Sequence, residues 1–386
     1  MKKLAYIGMF FVMIFILSGC TSAGGYYRNG KKSLASRNYE DAAKSFSLAI
    51  EENPNRSDYY IGYAMAFIGL ERYDKAIEQF DSVIMDKKIV MVQENNKRAL
   101  RGKGIAYFNM QDYNNAIDQL DQALELDVLS DLDMDILYYK GKSLMTVGAY
   151  EEAADIYTQI IERFGEDTQV LGDRAYAYQM TGDFDKSVED YDKAIAIKPS
   201  QYEYYFGKYY LLQEMGKTTE AQAVLDEAAK LEVKTKEDKY NLARIHFYQG
   251  LHDQAFPELS ESFANGFADS YFYIGEIYSI KKDYSTAKYY YEKYIEEGGE
   301  VTPAAYNQVA SCYMKIGEYE EAIPYLELGI RYAHGSMLRI LLKNEIVAYE
   351  NMGDFETALA KLKNYKTAYP NDTDALREEV FLMSRQ

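Results

Sequence analysis

The 386-residue sequence predicts an all-α solenoid, a row of helix-turn-helix hairpins stacked one on the next, and three observations predict it. First, a short pattern recurs along the chain: NYEDAAKSFSLAI (Asn38 to Ile50), RYDKAIEQFDSVI (Arg72 to Ile84), DYNNAIDQLDQAL (Asp112 to Leu124) and DFDKSVEDYDKAI (Asp183 to Ile195) each show an aromatic, a small residue three later and a large apolar residue four beyond that. Second, the small residue recurs at Ala42, Ala76, Ala116, Ala153, Ser187, Ala221, Ala255, Ala287, Ala322 and Ala358, at intervals of 34, 40, 37, 34, 34, 34, 32, 35 and 36 residues. Repeats of this length mark supersecondary units that bury their apolar faces only by stacking. Third, GDF, GEY and GDF around Gly182, Gly317 and Gly353 read as turns in which glycine ends one helix and an acidic residue caps the next.

These residues resemble the tetratricopeptide repeat, a 34-residue unit of two antiparallel helices. The resemblance implies a right-handed superhelical solenoid of about ten repeats, starting near residues 23, 57, 97, 134, 168, 202, 236, 268, 303 and 339 and spanning 26–372. With each recurrent alanine or serine as position 20, position 8 is small at Gly30, Ala64, Gly104, Gly141, Ala175, Ala243, Gly275 and Ala310. Small residues at 8 and 20 let paired helices approach closely. Position 24 is always large: Phe46, Phe80, Leu120, Tyr157, Tyr191, Leu225, Leu259, Tyr291, Leu326 and Leu362. The family's closing proline survives only at Pro54, Pro199 and Pro370, and tryptophan is absent. Extra residues near Met85 to Asn96 and around LSDLDMD lengthen the links beside repeat three, either bending the stack or extending its helices. Pro257 and Pro324 fall early in second helices, where a lost amide donor costs less. Thr373 before DALREEVFLM predicts an N-capped amphipathic helix over 373–386 that covers the last repeat.

The N-terminus carries a different signal. MKKLAYIGMFFVMIFIL places two lysines before an apolar run from Leu4 to Leu17, the layout of a secretory leader and too short for a membrane-spanning helix of roughly 20 residues. LSGC, ending at Cys20, resembles the lipobox of bacterial lipoproteins. That resemblance implies a signal peptide over 1–19, a diacylglycerol on the Cys20 sulfur and a flexible spacer over 20–25. It also implies a body held at the extracytoplasmic face of the cell membrane, where two acyl chains anchor stably and one does not. A disulfide from Cys20 would need the distant Cys312, and no histidine or cysteine stands nearby for a metal.

Composition excludes several classes of function. A net charge of −18 repels nucleic-acid phosphates and anionic lipid alike. GYYRNGKK (Gly25 to Lys32) nearly spells a phosphate-binding loop, but Lys32 stands where the metal-binding hydroxyl belongs. DLDMD (Asp131 to Asp135) lacks the glycine of a calcium loop, with Ile136 in its place. His246, His252 and His334 keep no carboxylate pair or metal spacing beside them and read as core or turn residues. Cys312 reads as a small buried apolar residue. No catalytic residues, cofactor or metal are expected.

Function then rests on a surface. In tetratricopeptide arrays the first helices line a concave groove, and the resemblance places Tyr27, Arg28, Lys31, Met65, Arg98, Arg101, Ile105, Phe108, Tyr138, Tyr139, Lys142, Tyr176, Phe206, Tyr210, Tyr240, Arg244, Phe247, Phe272, Tyr273 and Glu276 there. Tyrosine offers contact area and a hydroxyl at low entropic cost. Basic residues fall toward the first repeats and carboxylates (Asp173, Glu203, Glu214, Glu237, Asp269) toward the middle, so an acidic then a basic segment of a bound polypeptide is expected. The chaperone-binding carboxylate clamp of the family is not matched, since Tyr27 occupies its first lysine position. The resulting expectation is a membrane-anchored, non-catalytic scaffold for a protein or peptide partner, with cell-wall glycan or oligosaccharide as the alternative ligand.

Overall fold

The computed structural model describes residues 22–298 and 301–385. The leader and Cys20 lie outside the described residues. Among those described there are twenty-one α-helices, one short 3₁₀ turn (Ser130–Leu132) and no strand. The chain divides into two compact units, 1–211 and 212–386, the boundary falling inside one helix.

In the first unit the helices are α1 (Ala23–Ala35), α2 (Tyr39–Glu52), α3 (Ser57–Gly69), α4 (Tyr73–Asp81), α5 (Val90–Asn109), α6 (Tyr113–Leu124), α7 (Asp133–Thr146), α8 (Tyr150–Phe164), α9 (Thr168–Thr181), α10 (Phe184–Ile197) and the start of α11 (Tyr202–Glu214). In the second they are α12 (Thr218–Ala228), α13 (Lys236–Tyr248), α14 (His252–Ala264), α15 (Ser270–Ile280), α16 (Tyr284–Glu296), α17 (Pro303–Ile316), α18 (Tyr319–Tyr332), α19 (Gly335–Asn351), α20 (Phe355–Ala368) and α21 (Thr373–Met383). Helices α1 to α10 pack each on the next, and α13 to α21 do the same. Odd-numbered helices also touch each other, α1 with α3, α3 with α5 and α5 with α7 in the first unit, α13 with α15 and α17 with α19 in the second. They therefore form the tighter side of each stack. The extra residues before repeat three lengthen α5 to 20 residues rather than leaving a long loop.

One turn chemistry joins every odd helix to the even helix after it. Arg37, Glu71, Gln111, Gly148, Gly182, Gly216, Gly250, Lys282, Gly317 and Gly353 all take a positive φ at the end of the first helix. The next amide donates back to a carbonyl five residues earlier, as from Asn38 to Ser33, Asp183 to Tyr178 and Asp354 to Tyr349. This is the Schellman closure, which satisfies orphan carbonyls and needs a left-handed residue. Side-chain capping is less general than expected. Asp354 accepts from the Thr357 amide at 3.0 Å, but Asp183 and Glu318 make no cap bond and pair instead with Lys186 and Lys288. The cap of α21 is Asp372 rather than Thr373. Pro257 and Pro324 lie inside their helices rather than in the first turn.

Position 24 is the centre of the core, and glycine surrounds it. A methyl group on Gly30 would sit 2.8 Å from the Phe46 ring, one on Gly104 2.6 Å from Leu120, one on Gly141 2.7 Å from Tyr157 and one on Gly275 2.7 Å from Tyr291. Position 8 is small because the large side chain of its own repeat lies on it. The next repeat makes a second close approach: a methyl on Gly102 would lie 2.6 Å from Phe80 Cε1, and one on Gly207 2.5 Å from Tyr191. Phe46, met by Gly30 of its own repeat and Gly62 of the next, is thus clamped between helices of different repeats. Where position 24 is leucine the facing residue is larger, and Tyr139 packs against Leu120 and Tyr273 against Leu259.

Helix α21 closes the second unit. Ala375 and Leu382 are buried with Ile346, Leu362 and Tyr365. Asp372 gathers Lys343 at 2.8 Å, the Tyr365 hydroxyl at 2.5 Å and Arg339 at 2.8 Å, which hold its carboxyl well below the usual range. Its other oxygen accepts from the amides of Asp374 and Ala375.

Candidate functional site

The inner faces of the odd helices carry the side chains singled out in the sequence, and most of them prove to bind one helix to the next. In the first unit Tyr27 packs on Phe46 and Tyr59, at ring separations of 5.9 and 5.0 Å. Burial, with Asp58 nearby, raises its hydroxyl pKa. Phe108 meets Tyr139 edge-on at 5.3 Å, and the Tyr138 hydroxyl accepts from Gln169 at 2.5 Å. Met65 packs against the cluster around Ala64 and Phe80. In the second unit Arg244 donates to the Tyr273 hydroxyl at 3.1 Å and to Asn241 at 3.1 Å. Phe247 lies 5.2 Å from Tyr273 and Phe272 5.5 Å from Tyr291. Glu276 accepts from Tyr291 at 2.6 Å and from Gln308 at 2.5 Å.

Three expected surface residues are not on the surface. Ile105 is 6 %, Phe206 5 % and Tyr240 8 % exposed. Tyr240 stacks on Phe267 at 4.7 Å, which covers its ring. The expectation that these three line an open groove is corrected: packing inside the stack covers them. Tyr176 and Tyr210, thirty-four residues apart and both in the first unit, are different; they are 47 % and 41 % exposed.

The expected basic end is also smaller than its sequence suggests. Arg101 pairs with Asp135 of the next first helix, and Lys142 with Asp173 at 3.3 Å. Arg98 donates to Asn95 at 3.4 Å, and Asp58 is held by Arg56 at 2.7 Å. Of the five basic groove residues of the first four repeats only Arg28 and Lys31 are exposed, Lys31 lying 4.7 Å over the Tyr27 ring. Basic and acidic residues that look segregated along the chain are neighbours in space, because one repeat's cation reaches the next repeat's anion.

Sequence reasoning missed a cavity of about 460 Å³ in the first unit, lined by Asp167, Thr168, Gln169, Asp173, Lys198, Glu203 and Tyr204 among others. Its signal was present in the alternation of carboxylate and lysine over 167–203, but burial decides which atoms lack partners. Burial raises the Asp173 carboxyl pKa, with Lys142 and the Tyr138 hydroxyl opposing. Outside the inner faces, Cys312 is 3 % exposed and burial, with Glu276 nearby, pushes its thiol up to about 12, so it is an unreactive core residue. His246 is buried against Glu258 at 2.6 Å and His252 packs on Phe247. No group of three or more metal-ligating side chains occurs among the described residues. No helix there is long and apolar enough to cross a membrane.

Comparison with known proteins agrees with this geometry. Family profiles described as tetratricopeptide repeat match residues 27–88, 101–167, 140–202, 303–333 and 346–372, together more than half of the chain. An Hsp70-Hsp90 organizing protein of Triticum aestivum is 26 % identical over 205 residues, 44 % of this chain and 34 % of that protein. A BBSome complex member, BBS4, of Bos taurus is 29 % identical over 150 residues, 39 % of this chain and 28 % of that one. The chain thus spans about a third of the length of these curated relatives. A crystal structure of a tetratricopeptide repeat protein from Parabacteroides merdae superposes with a TM-score of 0.52 at 17 % identity, covering 66 % of this chain and 98 % of that one. Its likeness is one of fold. With ten Schellman turns of one kind, glycine seated against six of the large core side chains and matching profiles over more than half of its length, the chain belongs to the tetratricopeptide repeat family.

Proposed function

We propose that the chain is a non-catalytic scaffold, anchored through a lipid on Cys20 at the extracytoplasmic face of a bacterial membrane, that holds a polypeptide partner against the inner faces of its first helices. One observation carries the reading. Tyr176 and Tyr210 stay exposed at equivalent positions of neighbouring repeats, whereas Ile105 at the same position is buried and Arg244 and Glu276 there are taken up by hydrogen bonds to other helices. Two half-exposed tyrosines on α9 and α11, the helices that also line the polar cavity, offer aromatic area to an extended chain. The organising role named for the wheat relative belongs to that protein; the shared repeat architecture supports a binding role here.

The test uses full-length protein in detergent, wild type against a Tyr176→Ala, Tyr210→Ala double variant, each used to capture partners from membrane extracts. A polypeptide retained by the wild type and lost from the double variant at unchanged melting temperature supports the reading. Displacement of that polypeptide by soluble cell-wall oligosaccharide would favour a glycan ligand instead. For the anchor, labelled fatty acid should be incorporated into the wild type and not into Cys20→Ser.

A further inference from the structure

The cavity between α9 and α11 has two buried polar atoms in its lining that are unmatched. Thr168 is 2 % exposed, and its hydroxyl has no hydrogen-bond partner although it lines the cavity. Asp173 uses one oxygen for Lys142 at 3.3 Å, the Tyr138 hydroxyl turns its proton toward the carboxyl, and the other oxygen, Oδ2, is buried and closes no hydrogen bond of normal geometry. Tyr157, wholly buried on α8, also has an unpartnered hydroxyl, and the Asp173 charge acts on it. Unpaired buried polar groups cost roughly 1–3 kcal/mol each, so native structures keep few of them without a reason.

The chemistry that would satisfy them is specific. Asp173 Oδ2 can only accept, and the Thr168 hydroxyl accepts as readily as it donates, so the missing group carries several donors. Around the mouth stand Asp167 and Glu203, opposed by Lys198. Lys142 sits on the far oxygen of Asp173. An anion would meet three carboxylates, and a neutral hydroxyl would donate a single hydrogen bond and leave their charge uncompensated. An ammonium offers three donors and a guanidinium five, each with the matching charge.

We infer that this cavity receives the cationic side chain of a basic segment in a bound polypeptide, its donors shared between Asp173 Oδ2 and the Thr168 hydroxyl and its charge compensated by Asp167 and Glu203 at the mouth. The inference rests on the polypeptide-binding reading above and names the residue chemistry at one position of that site. It also corrects the segregated-charge expectation: the basic segment is recognised by a cavity with unmatched acceptors, not by an excess of surface carboxylates.

The test is fluorescence anisotropy of the full chain in detergent with a labelled peptide of alternating glycine and arginine, its citrulline counterpart and an alternating glycine and glutamate peptide. The arginine peptide should bind, and Asp173→Asn and Thr168→Val should each weaken it about tenfold. Because Thr168→Val removes an unpaired buried hydroxyl, it should leave the free protein's melting temperature unchanged or higher while affinity falls. A merely structural threonine would lose both together. An Asp226→Asn, Glu227→Gln variant, which removes two exposed carboxylates of α12, should change affinity less than twofold. The inference is overturned if that control weakens binding as much as Asp173→Asn, if the citrulline peptide binds equally, or if free arginine amide competes as well as the peptide per guanidinium. Equal binding of all three peptides would leave the polypeptide reading intact and remove the cation. If none binds, and the Tyr176→Ala, Tyr210→Ala variant loses no captured polypeptide either, the scaffold reading itself fails.

Discussion

Gly62 on α3 lies flat against the ring of Phe46 on α2, so that a methyl group at Gly62 would sit 2.5 Å from the ring Cζ. The same relationship joins Gly102 to Phe80 and Gly207 to Tyr191. Gly62→Ala should therefore destabilise the first unit by about 1–3 kcal/mol, the usual cost of overpacking a filled core. Leucine at position 24 faces larger residues elsewhere in the chain, so Phe46→Leu should partly rescue Gly62→Ala. A double-mutant cycle on urea midpoints should give a coupling of about 1 kcal/mol or more; strict additivity would show that the ring does not set the glycine.

Four of the ten turns place a residue other than glycine in the left-handed region: Arg37, Glu71, Gln111 and Lys282, with φ of 57, 57, 62 and 61°. Glycine occupies that position without steric cost, whereas other L-residues give up roughly 1 kcal/mol there. Converting all four to glycine should raise the melting temperature, each change adding up to about 1 kcal/mol less the extra unfolded-state entropy of glycine. Glycine at Asn38, Arg72, Asp112 and Asp283, one residue later, should stabilise none of them. A quadruple variant that melts lower than wild type would place the strain elsewhere.

Much of this was legible in the sequence and some of it could not be. Hairpin spacing and the small residues at Gly30, Gly104, Gly141 and Gly275 are readable because close helix approach depends on single side chains at fixed intervals. Gly62, Gly102 and Gly207 carry the same signal, sixteen or twenty-two residues after the ring they accommodate, but they fall at positions that the family pattern assigns to the groove. The groove itself was harder. Whether Tyr240 or Tyr176 faces solvent depends on which side chain lies over it, Phe267 of the link before the next first helix covering Tyr240, and the spacing of the hairpins does not encode that pairing. The pairing of Arg101 with Asp135 and Lys142 with Asp173 escaped for the same reason.

Lys97 shows how a cross-repeat charge can be more than decoration. It is 1 % exposed on α5, reaches Asp133 at 2.6 Å and donates to the Leu126 carbonyl at 2.9 Å. Arg163 reaches the other oxygen of Asp133 at 2.5 Å. Burial disfavours the Asp133 charge, yet the two cations together hold its carboxyl below the usual range. Lys97→Ala should cost about 3–5 kcal/mol, since it half-strands a buried carboxylate, leaving it to Arg163 alone, and empties its own space. Lys97→Met with Asp133→Asn should recover much of that loss, because volume is kept and the stranded charge removed. Hydrogen exchange in α5 and α7 would report it; equal destabilisation by both variants would mean that packing, not charge, is what Lys97 supplies.

The C-terminal helix carries a carboxyl pair with a pH consequence. Glu350 on α19 is half-buried with one oxygen, Oε1, lacking a partner, and it shares a small cavity with Glu378 on α21. Burial first, and then the hydrogen bond and charge of Glu378, raise its pKa to about 7. The folded form thus holds a proton that the unfolded chain, with an ordinary glutamate near 4.3, has already released. Between those two values the native state binds more protons, so stability falls as pH rises through the window. After allowance for solvent screening of a half-exposed group, the loss is on the order of 1 kcal/mol. Protection of the Leu382 amide, corrected for intrinsic exchange, should drop about fivefold between pH 5 and pH 8. Glu350→Gln, which cannot ionise, should flatten that dependence and raise protection at pH 8. If the substituted chain keeps the wild-type slope, the titrating group that loosens α21 is not this one.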